Sequence, residues 1–273
     1  MDNRIELGII ASGNFPNEII NETFPRWSSK YIRWVNGPIN FATVYVDAPL
    51  GKASKYNFSV LGEPKSLFAD NGWNNLFESY KEATLCFTYY KELVDLYPNF
   101  RYIPGGMMSF IAPNIWSVYP KNKMVSATFS NKIRTSLQLV RQVIKKDFQN
   151  KIDFINPPWP NKMPALENYM FHVAIENEAT HFSEKLLDCF LTGTIPIYLG
   201  MPSADIKNIF NVDGILFFDT LEELEHALTL ATPDYYNKRI PAIQENFITA
   251  QKYVNIGDVI WNSGLGEFLD KNE

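Results

Sequence analysis

The chain has 273 residues, of which 46% are hydrophobic and 15% aromatic, and its net charge is −5. This composition is sufficient for one large or two modest buried cores. The negative charge argues against a nucleic-acid-binding protein, which normally has a basic face. No apolar run approaches the ~20 residues that a membrane-spanning helix needs.

The N-terminal sequence MDNRIELGII lacks the layout of a signal peptide, because acidic residues precede its short apolar run. Cys86 and Cys189 fall in apolar strand-like and helix-like segments, so we expect both to be reduced and buried. The three histidines show no His/Asp ligand spacing, and no metal site is expected. We therefore expect a soluble, cytoplasmic protein without a membrane span.

Strand and helix patterns alternate along the first half of the chain. We predict strands at residues 5–11, 40–46, 56–61, 83–87 and 100–104, and helices within 17–36, 74–82 and 88–96. This alternation is typical of an α/β unit with a parallel sheet. We place the linker in the turn-rich residues 112–122, which gives domains at 1–118 and 119–273.

The second half repeats the alternation. We predict strands at residues 124–129, 152–155, 171–175, 195–199 and 214–218, and helices that include 202–210, 220–230 and 241–255. Thr220 and Glu223 have the spacing of a capping box at the start of one helix. The tail from Trp261 onward ends in charged residues and is predicted to fray.

The segment from Tyr169 to Gly200 has the clearest local signals. Phe171 to Ile175 show no polar alternation, as in a strand that is covered on both faces. Ser183 is a good helix N-cap and Gly193 a good C-terminal stop. The next buried strand completes a βαβ unit. Its ligand site is expected at the carboxyl ends of the strands and the N-terminus of the helix.

Lys185 would lie in the first turn of that helix, where the helix dipole disfavours a cation. A bound phosphate would reverse this, because backbone N–H groups and a lysine together hold phosphate. Glu184 beside it suits the dipole and can accept hydrogen bonds from sugar hydroxyls. The alternative interpretation is an ordinary solvated ion pair at a helix start.

The sequence of this segment contains AIEN, HFSEK, LLDCFLTG and TIPIYLG in order. It resembles the donor-binding core of the family 10 glycosyltransferases, the α-1,3/α-1,4-fucosyltransferases. The resemblance implies an α/β fold of GT-B architecture, with two Rossmann-like domains facing each other across a cleft. The N-terminal domain would bind the acceptor and the C-terminal domain the nucleotide sugar. A soluble microbial or viral form is implied, in a bacterial or virus-infected host cytoplasm.

The resemblance also implies donor-binding roles for residues within the segment: Glu176, Asn177, His181, Ser183, Glu184 and Lys185. Ser183 stands where the family has threonine, and His181 where it commonly has tyrosine. The family carries a diphosphate-binding arginine on the helix that follows Ser130-Asn131. Arg134 fits the residue context of that arginine and is preferred, whereas Arg141 fits its spacing. For either arginine, the alternative is an exposed helix residue.

Glu63 is the candidate catalytic residue. It follows the predicted strand 56–61 in SVLGEPKSL, which looks like the family segment that carries the proposed catalytic glutamate. Considered alone, Glu63 is most simply a surface charge. With the resemblance, it becomes the candidate general base.

The implied function is inverting transfer of fucose from GDP-fucose, the substrate, to a glycan hydroxyl, with no metal or other cofactor. The partners are a nucleotide-sugar donor and a glycan acceptor, and no oligomeric state follows. One alternative is a transferase for another nucleotide sugar, because Asn156 to Pro160 replace a glycine-rich turn and His181 touches the same pocket. The other is a catalytically silent nucleotide- or glycan-binding protein.

Overall fold

The computed structural model describes residues 2–12, 28–68, 71–106, 108–157 and 161–272. The chain forms two compact α/β units. The first comprises Met1–Met107 together with Asn255–Glu273, and the second comprises Met108–Val254. Within the described ranges, none of the helices combines the length and apolarity needed to cross a bilayer.

A six-stranded, entirely parallel sheet forms the centre of the first unit. Its strands are β1 (Ile5–Ala11), β2 (Ile32–Asn36), β3 (Ala42–Val46), β4 (Tyr56–Leu61), β5 (Leu85–Thr88) and β6 (Phe100–Tyr102), in the order β2-β1-β3-β4-β5-β6. The helices α1 (Gly72–Tyr80) and α2 (Lys91–Leu96) connect β4 to β5 and β5 to β6. These elements agree with the predicted alternation.

The edge strand β2 lies in the stretch where a helix was predicted. Ile32 and Trp34 are buried while Arg33 between them is exposed, and this alternation is that of a strand with one covered face. The helix prediction for 17–36 is therefore wrong for its last five residues. Residues 17–27 of that prediction lie outside the described residues.

The second unit contains a five-stranded parallel sheet with strand order β11-β10-β9-β7-β8. Its strands are β7 (Lys123–Ala127), β8 (Asp153–Phe154), β9 (Tyr169–Ile175), β10 (Ile195–Leu199) and β11 (Leu216–Phe217). Its helices are α3 (Ser136–Asp147), α4 (Glu184–Phe190), α5 (Ser203–Ile206), α6 (Leu221–Leu230), α7 (Pro233–Lys238) and α8 (Ile240–Ala250).

Strand β9 is covered on both faces, as predicted. Phe171, Val173 and Ile175 belong to one buried cluster, which also contains Ile144 of α3. Ala174 belongs to a second cluster, built around α4. Alternate side chains of a strand point to opposite faces, so β9 joins two cores and has no polar alternation.

The local signals around α4 are confirmed. The Ser183 hydroxyl accepts a hydrogen bond from the Lys185 N–H. Gly193 has a φ of +70°, and a Cβ there would meet Val118 at 2.7 Å, so only glycine fits. The capping box of Thr220 and Glu223 is present at α6. Both cysteines are free and buried.

The C-terminal segment departs from the predicted domain boundaries of 1–118 and 119–273. It forms α9 (Ile256–Ile260), a π-helical turn (Trp261–Leu265) and α10 (Gly266–Asp270), and it belongs to the first unit. The prediction of a fraying tail is wrong, because Leu265 and Leu269 are buried. Buried Asp258 accepts hydrogen bonds from the Ser29 hydroxyl at 2.7 Å and the Lys30 N–H at 2.8 Å.

Replacing Asp258 should therefore destabilise the protein. Asp258→Ala leaves the Ser29 and Lys30 donors without their acceptor, which should lower the free energy of unfolding by about 1–3 kcal/mol. Urea unfolding measures this loss. Asp270→Ala, at an exposed position, is the control and should change stability by no more than about 0.5 kcal/mol. Equal effects of the two variants would contradict the anchoring role.

Candidate functional site

A pocket lies at the carboxyl ends of β7 and β9 in the second unit. Its lining comes from five parts of the chain: the residues after β7, the second half of β9, helix α3, helix α4, and the segment between β8 and β9. The lining residues are Thr128, Phe129, Arg141, Lys162, Leu166, His172, Val173, Ala174, Ile175, Lys185 and Asp188. It encloses about 30 Å³, room for about two water-sized groups. This is the sheet edge at which parallel α/β folds bind ligands.

The charges of the lining favour an anion. Arg141, Lys162 and Lys185 are cationic, and Asp188 is the only carboxylate among the lining residues described. Burial raises the pKa of Asp188, although Lys162 and the Ser109 hydroxyl oppose this. Positive charge is therefore in excess at the pocket wall, and an anionic group such as a phosphate would be attracted there.

Arg141 is buried in α3 and faces the pocket. Its Nη2 donates to the Ile175 carbonyl at 2.6 Å and to the Asn177 Oδ1 at 3.0 Å. Asn177 Oδ1 also accepts from the Gln138 amide at 3.1 Å. The buried Arg141 Nε has no hydrogen-bond partner among the described residues. The guanidinium is thus held in place on one side, with a donor still to be satisfied.

Arg134, the preferred candidate from the sequence, is in a different environment. Its side chain is exposed just before α3 and is not part of the pocket lining. Its backbone N–H donates to the Gln138 Oε1 at 2.7 Å. Of the two candidate arginines, the structure brings only Arg141 together with Asn177 and Lys185.

Glu176 and Ser183 join the end of β9 to the start of α4. The fully buried Glu176 carboxylate accepts hydrogen bonds from the Ser183 N–H at 2.8 Å, the Ser183 hydroxyl and the Tyr198 hydroxyl. The N–H groups of Ser183 and Lys185 are thereby paired within the protein. Side-chain cations, more than the start of the seven-residue α4, provide the positive charge of this site.

Lys185 and Glu184 form an ion pair that differs from a solvated surface pair. The Lys185 Nζ lies 3.0 Å from Glu184 Oε1, 3.5 Å from Glu176 Oε2 and 3.1 Å from the Ser183 hydroxyl. The Glu184 side chain is only 11% exposed. The ion pair therefore holds Glu184 next to Lys185, which lines the pocket.

Lys162 is the residue that the sequence analysis missed. Its Nζ lies 3.1 Å from Asp188 Oδ2 and 3.4 Å from Glu184 Oε1. Burial opposes the charge of Lys162, but Glu184 and Asp188 outweigh burial and raise its pKa. No motif surrounds Lys162 in the sequence, and its contacts with Glu184 and Asp188 of α4 are between segments that are distant along the chain. Tertiary structure alone identifies it.

The charge state of Glu184 follows from these neighbours. Burial by itself would raise the pKa of Glu184, but Lys185 and Lys162 outweigh burial and hold it well below the ordinary value of 4.5. Glu184 is therefore an anion at neutral pH and can accept hydrogen bonds from hydroxyl groups.

His181 is buried near this site but is not part of the pocket lining. Its Nδ1 lies 3.1 Å from the Thr180 hydroxyl. Burial, and then the Lys185 charge, lower its pKa to about 3, so the ring is neutral at physiological pH. A neutral imidazole offers one donor and one acceptor, which suits a polar contact and not a counterion.

Glu63 lies in the first unit, in the turn after β4, and is partly exposed. Asp47 holds this turn: its carboxylate accepts from the Gly62 N–H at 2.9 Å and the Glu63 N–H at 3.0 Å. Asp47 has a φ of +48°, which is uncommon for a residue other than glycine. Burial, and then Glu63, raise the pKa of Asp47 to about 8. Two carboxyl groups that influence each other thus follow the neighbouring strands β3 and β4, at the same edge of the sheet.

No protein-family model matches the chain, and no curated protein matches it in sequence. Solved structures do. The structure of an α1,3-fucosyltransferase with GDP-fucose matches with a TM-score of 0.54 and 14% sequence identity. The match covers 89% of this chain and 82% of the fucosyltransferase chain. The fold is that of GT-B glycosyltransferases. The predicted pair of Rossmann-like sheets is confirmed.

Two further structures share the fold. Anabaena HepE in complex with UDP-glucose is 11% identical with a TM-score of 0.59, and the match covers 97% of this chain and 99% of HepE. The pneumococcal O-GlcNAc transferase GtfA with UDP and GlcNAc is 10% identical with a TM-score of 0.52, covering 85% of this chain and 58% of GtfA. The shared fold is thus found with different nucleotides.

The charge on Glu184 predicts a specific acid sensitivity. Its pKa is lower in the folded than in the unfolded state, so its contribution is complete above the ordinary value of 4.5 and is lost as the pH falls below it. Between about pH 6 and pH 3, the wild type should lose stability faster than Glu184→Gln, which has no proton to gain there. Urea unfolding at each pH measures the two slopes.

The control is Glu222→Gln, at an exposed position of α6. Its stability should decline with acid in parallel with the wild type. A Glu184→Gln profile that also runs parallel to the wild type would mean that Glu184 is not held as an anion in the folded state.

Proposed function

We propose that this chain is an inverting glycosyltransferase that transfers fucose from GDP-fucose to a hydroxyl of a glycan acceptor. The observation that carries the proposal is the convergence of Arg141, Lys162 and Lys185 on one pocket. This pocket adjoins the segment whose sequence resembles the donor-binding core of the family 10 enzymes. The fold shared with an α1,3-fucosyltransferase supports the same proposal.

The second unit is the proposed donor domain. Departure of the nucleotide leaves negative charge on a diphosphate, and fixed cations in a partly buried pocket stabilise such charge strongly. Arg141, with its unsatisfied Nε donor, and Lys185 are suited to contact the phosphate oxygens. Glu184, an anion beside them, is suited to hydroxyl groups of the donor. These side chains supply charge of the kind that a divalent metal supplies in other transferases.

Glu63 is the proposed general base. In an inverting transfer, the acceptor hydroxyl attacks the anomeric carbon as a base removes its proton. Glu63 is partly exposed, and Asp47 holds the backbone of its turn through two hydrogen bonds. The partial exposure leaves Glu63 accessible to an acceptor, whereas the buried Asp47 serves as the support for the turn.

A transferase with a UDP-sugar donor is the second candidate. The specific observation in its favour is the similarity to HepE with UDP-glucose, which has a TM-score of 0.59 and spans nearly the whole of both chains. The loop around Asn156 and Asn161 also lacks the glycines of the family 10 pattern, and residues 158–160 of it lie outside the described residues. A nucleotide-binding protein without turnover is the remaining alternative.

Binding of GDP separates these candidates. GDP should raise the melting temperature more than UDP does at the same concentration, because the ligand with the lower Kd stabilises the fold more. A ligand at 100 times its Kd adds about 2.7 kcal/mol to the free energy of unfolding. Arg141→Ala should weaken GDP binding about tenfold to a hundredfold, since it removes charge-assisted hydrogen bonds worth about 1.5–3 kcal/mol. Differential scanning fluorimetry and calorimetric titration measure the two effects.

Arg134→Ala is the matched control, because it removes the same charge from an exposed position outside the pocket lining. It should bind GDP like the wild type. A larger shift with UDP would favour the second candidate. Loss of affinity in Arg134→Ala, with Arg141→Ala unchanged, would place the diphosphate elsewhere.

Glu63→Gln tests the catalytic proposal. It should reduce turnover by about 10²–10⁴, the usual contribution of a general base, and leave GDP affinity near the wild-type value. Release of GDP from GDP-fucose, with a panel of glycan acceptors, measures turnover, and calorimetry measures affinity. Near wild-type turnover in Glu63→Gln would assign the base to another residue, and Asp47→Asn is the next variant to assay.

A further inference from the structure

Glu184 lies between two lysines, and one carboxylate oxygen serves both. Its Oε1 is 3.0 Å from the Lys185 Nζ and 3.4 Å from the Lys162 Nζ. All three side chains are shielded, with exposed fractions of 11% for Glu184, 20% for Lys162 and 21% for Lys185. In a shielded site, one carboxylate needs one cation to remain charged. Glu184 thus has a second cation at the same carboxylate oxygen.

The two lysines differ in their further partners. Lys162 pairs with Asp188 at 3.1 Å, and its ammonium lies 4.7 Å from the centre of the Phe110 ring. Asp188 is itself fixed, since it accepts hydrogen bonds from the Ser109 hydroxyl at 2.7 Å and the Phe110 N–H at 3.1 Å. Lys162 is thus bound to a carboxylate that is anchored from another segment.

Lys185 has a different set of contacts. Besides Glu184, it contacts the Ser183 hydroxyl and lies 3.5 Å from Glu176, whose carboxylate is already engaged by Ser183 and Tyr198. The Lys185 side chain also lines the pocket. Lys162 lines the same pocket, but the proposed function assigns the phosphate contact to Lys185, whose ammonium would then turn toward the anion.

A turn of Lys185 toward a ligand would remove the nearer cation from Glu184. A shielded carboxylate that loses its counterion takes up a proton or destabilises the site. With Lys162 in place, a cation remains at the same Glu184 oxygen. Glu184 then stays an acceptor for hydroxyl groups while Lys185 binds phosphate.

We propose that Lys162 is a positioning residue that keeps Glu184 anionic when Lys185 leaves it to bind the diphosphate of the donor. This inference rests on the proposed function of the second unit. The charged and titratable groups around Glu184 are Lys162, Lys185, Arg141, His181, Asp188, Tyr198 and, through Lys185, Glu176.

Proton uptake on GDP binding tests this role. Calorimetric titration with GDP in two buffers of different ionisation enthalpy gives the number of protons that bind with the ligand. Lys162→Met should take up as much as about one proton per GDP more than the wild type, because Glu184 becomes protonated as Lys185 leaves it. The GDP affinity of Lys162→Met should accordingly fall as the pH rises. Lys162→Arg, which keeps the charge, should behave like the wild type.

The double variant Lys162→Met/Glu184→Gln identifies the group that takes up the proton. It has no carboxyl group at position 184, so the extra uptake should disappear. Lys146→Met, at an exposed position of α3, is the surface control and should match the wild type. The protonation of GDP itself is common to all variants and cancels in the differences.

The possible outcomes separate the two proposals. If the wild type binds neither GDP nor UDP, the proposed function is overturned, and this inference with it. If the wild type and Lys162→Met bind GDP with equal proton uptake, the inference is overturned, but the proposed function is not. If Lys162→Met does not fold, Lys162→Gln takes its place in the same titration, because glutamine keeps a hydrogen-bond donor but not the charge.

Discussion

The hydrogen bonds of the buried Glu176 carboxylate are the constraint on which the site depends. Glu176 follows β9 directly and accepts from the N–H and hydroxyl of Ser183, so the end of the strand is tied to the start of α4. The Tyr198 hydroxyl adds a contact from β10. The three elements of the βαβ unit thus meet at one carboxylate. This fixes the direction of the first turn of α4, and therefore the positions of Glu184 and Lys185.

The charges around this anchor are balanced. Three carboxylates, Glu176, Glu184 and Asp188, face three cations, Arg141, Lys162 and Lys185. Shielded charges are tolerated only in such a balance. The balance is not uniform in space, since only Asp188 of the carboxylates joins the cations at the pocket wall. The site thus presents positive charge to a ligand while the cluster as a whole stays neutral.

Local signals predicted the βαβ unit from sequence because each acts over a few residues: a strand without polar alternation, an N-cap at Ser183 and a glycine at position 193. The burial of Arg141 could also have been predicted, because Arg141 lies three residues from Gln138 and from Ile144 on the buried face of α3. Lys162 and the return of residues 255–273 to the first unit depend on contacts between distant segments, and no local pattern encodes them. Edge strand β2 was missed because its alternation of buried and exposed side chains covers only five residues, Ile32–Asn36.

The return of the C-terminal segment affects the order in which the chain can fold. Ser29 hydrogen-bonds to Asp258, which is made 229 residues later. The second unit, Met108–Val254, is a continuous stretch, whereas the first needs both ends of the chain. During synthesis from the N-terminus, the second unit is therefore complete first, and α9 and α10 must follow it before they can close the first unit.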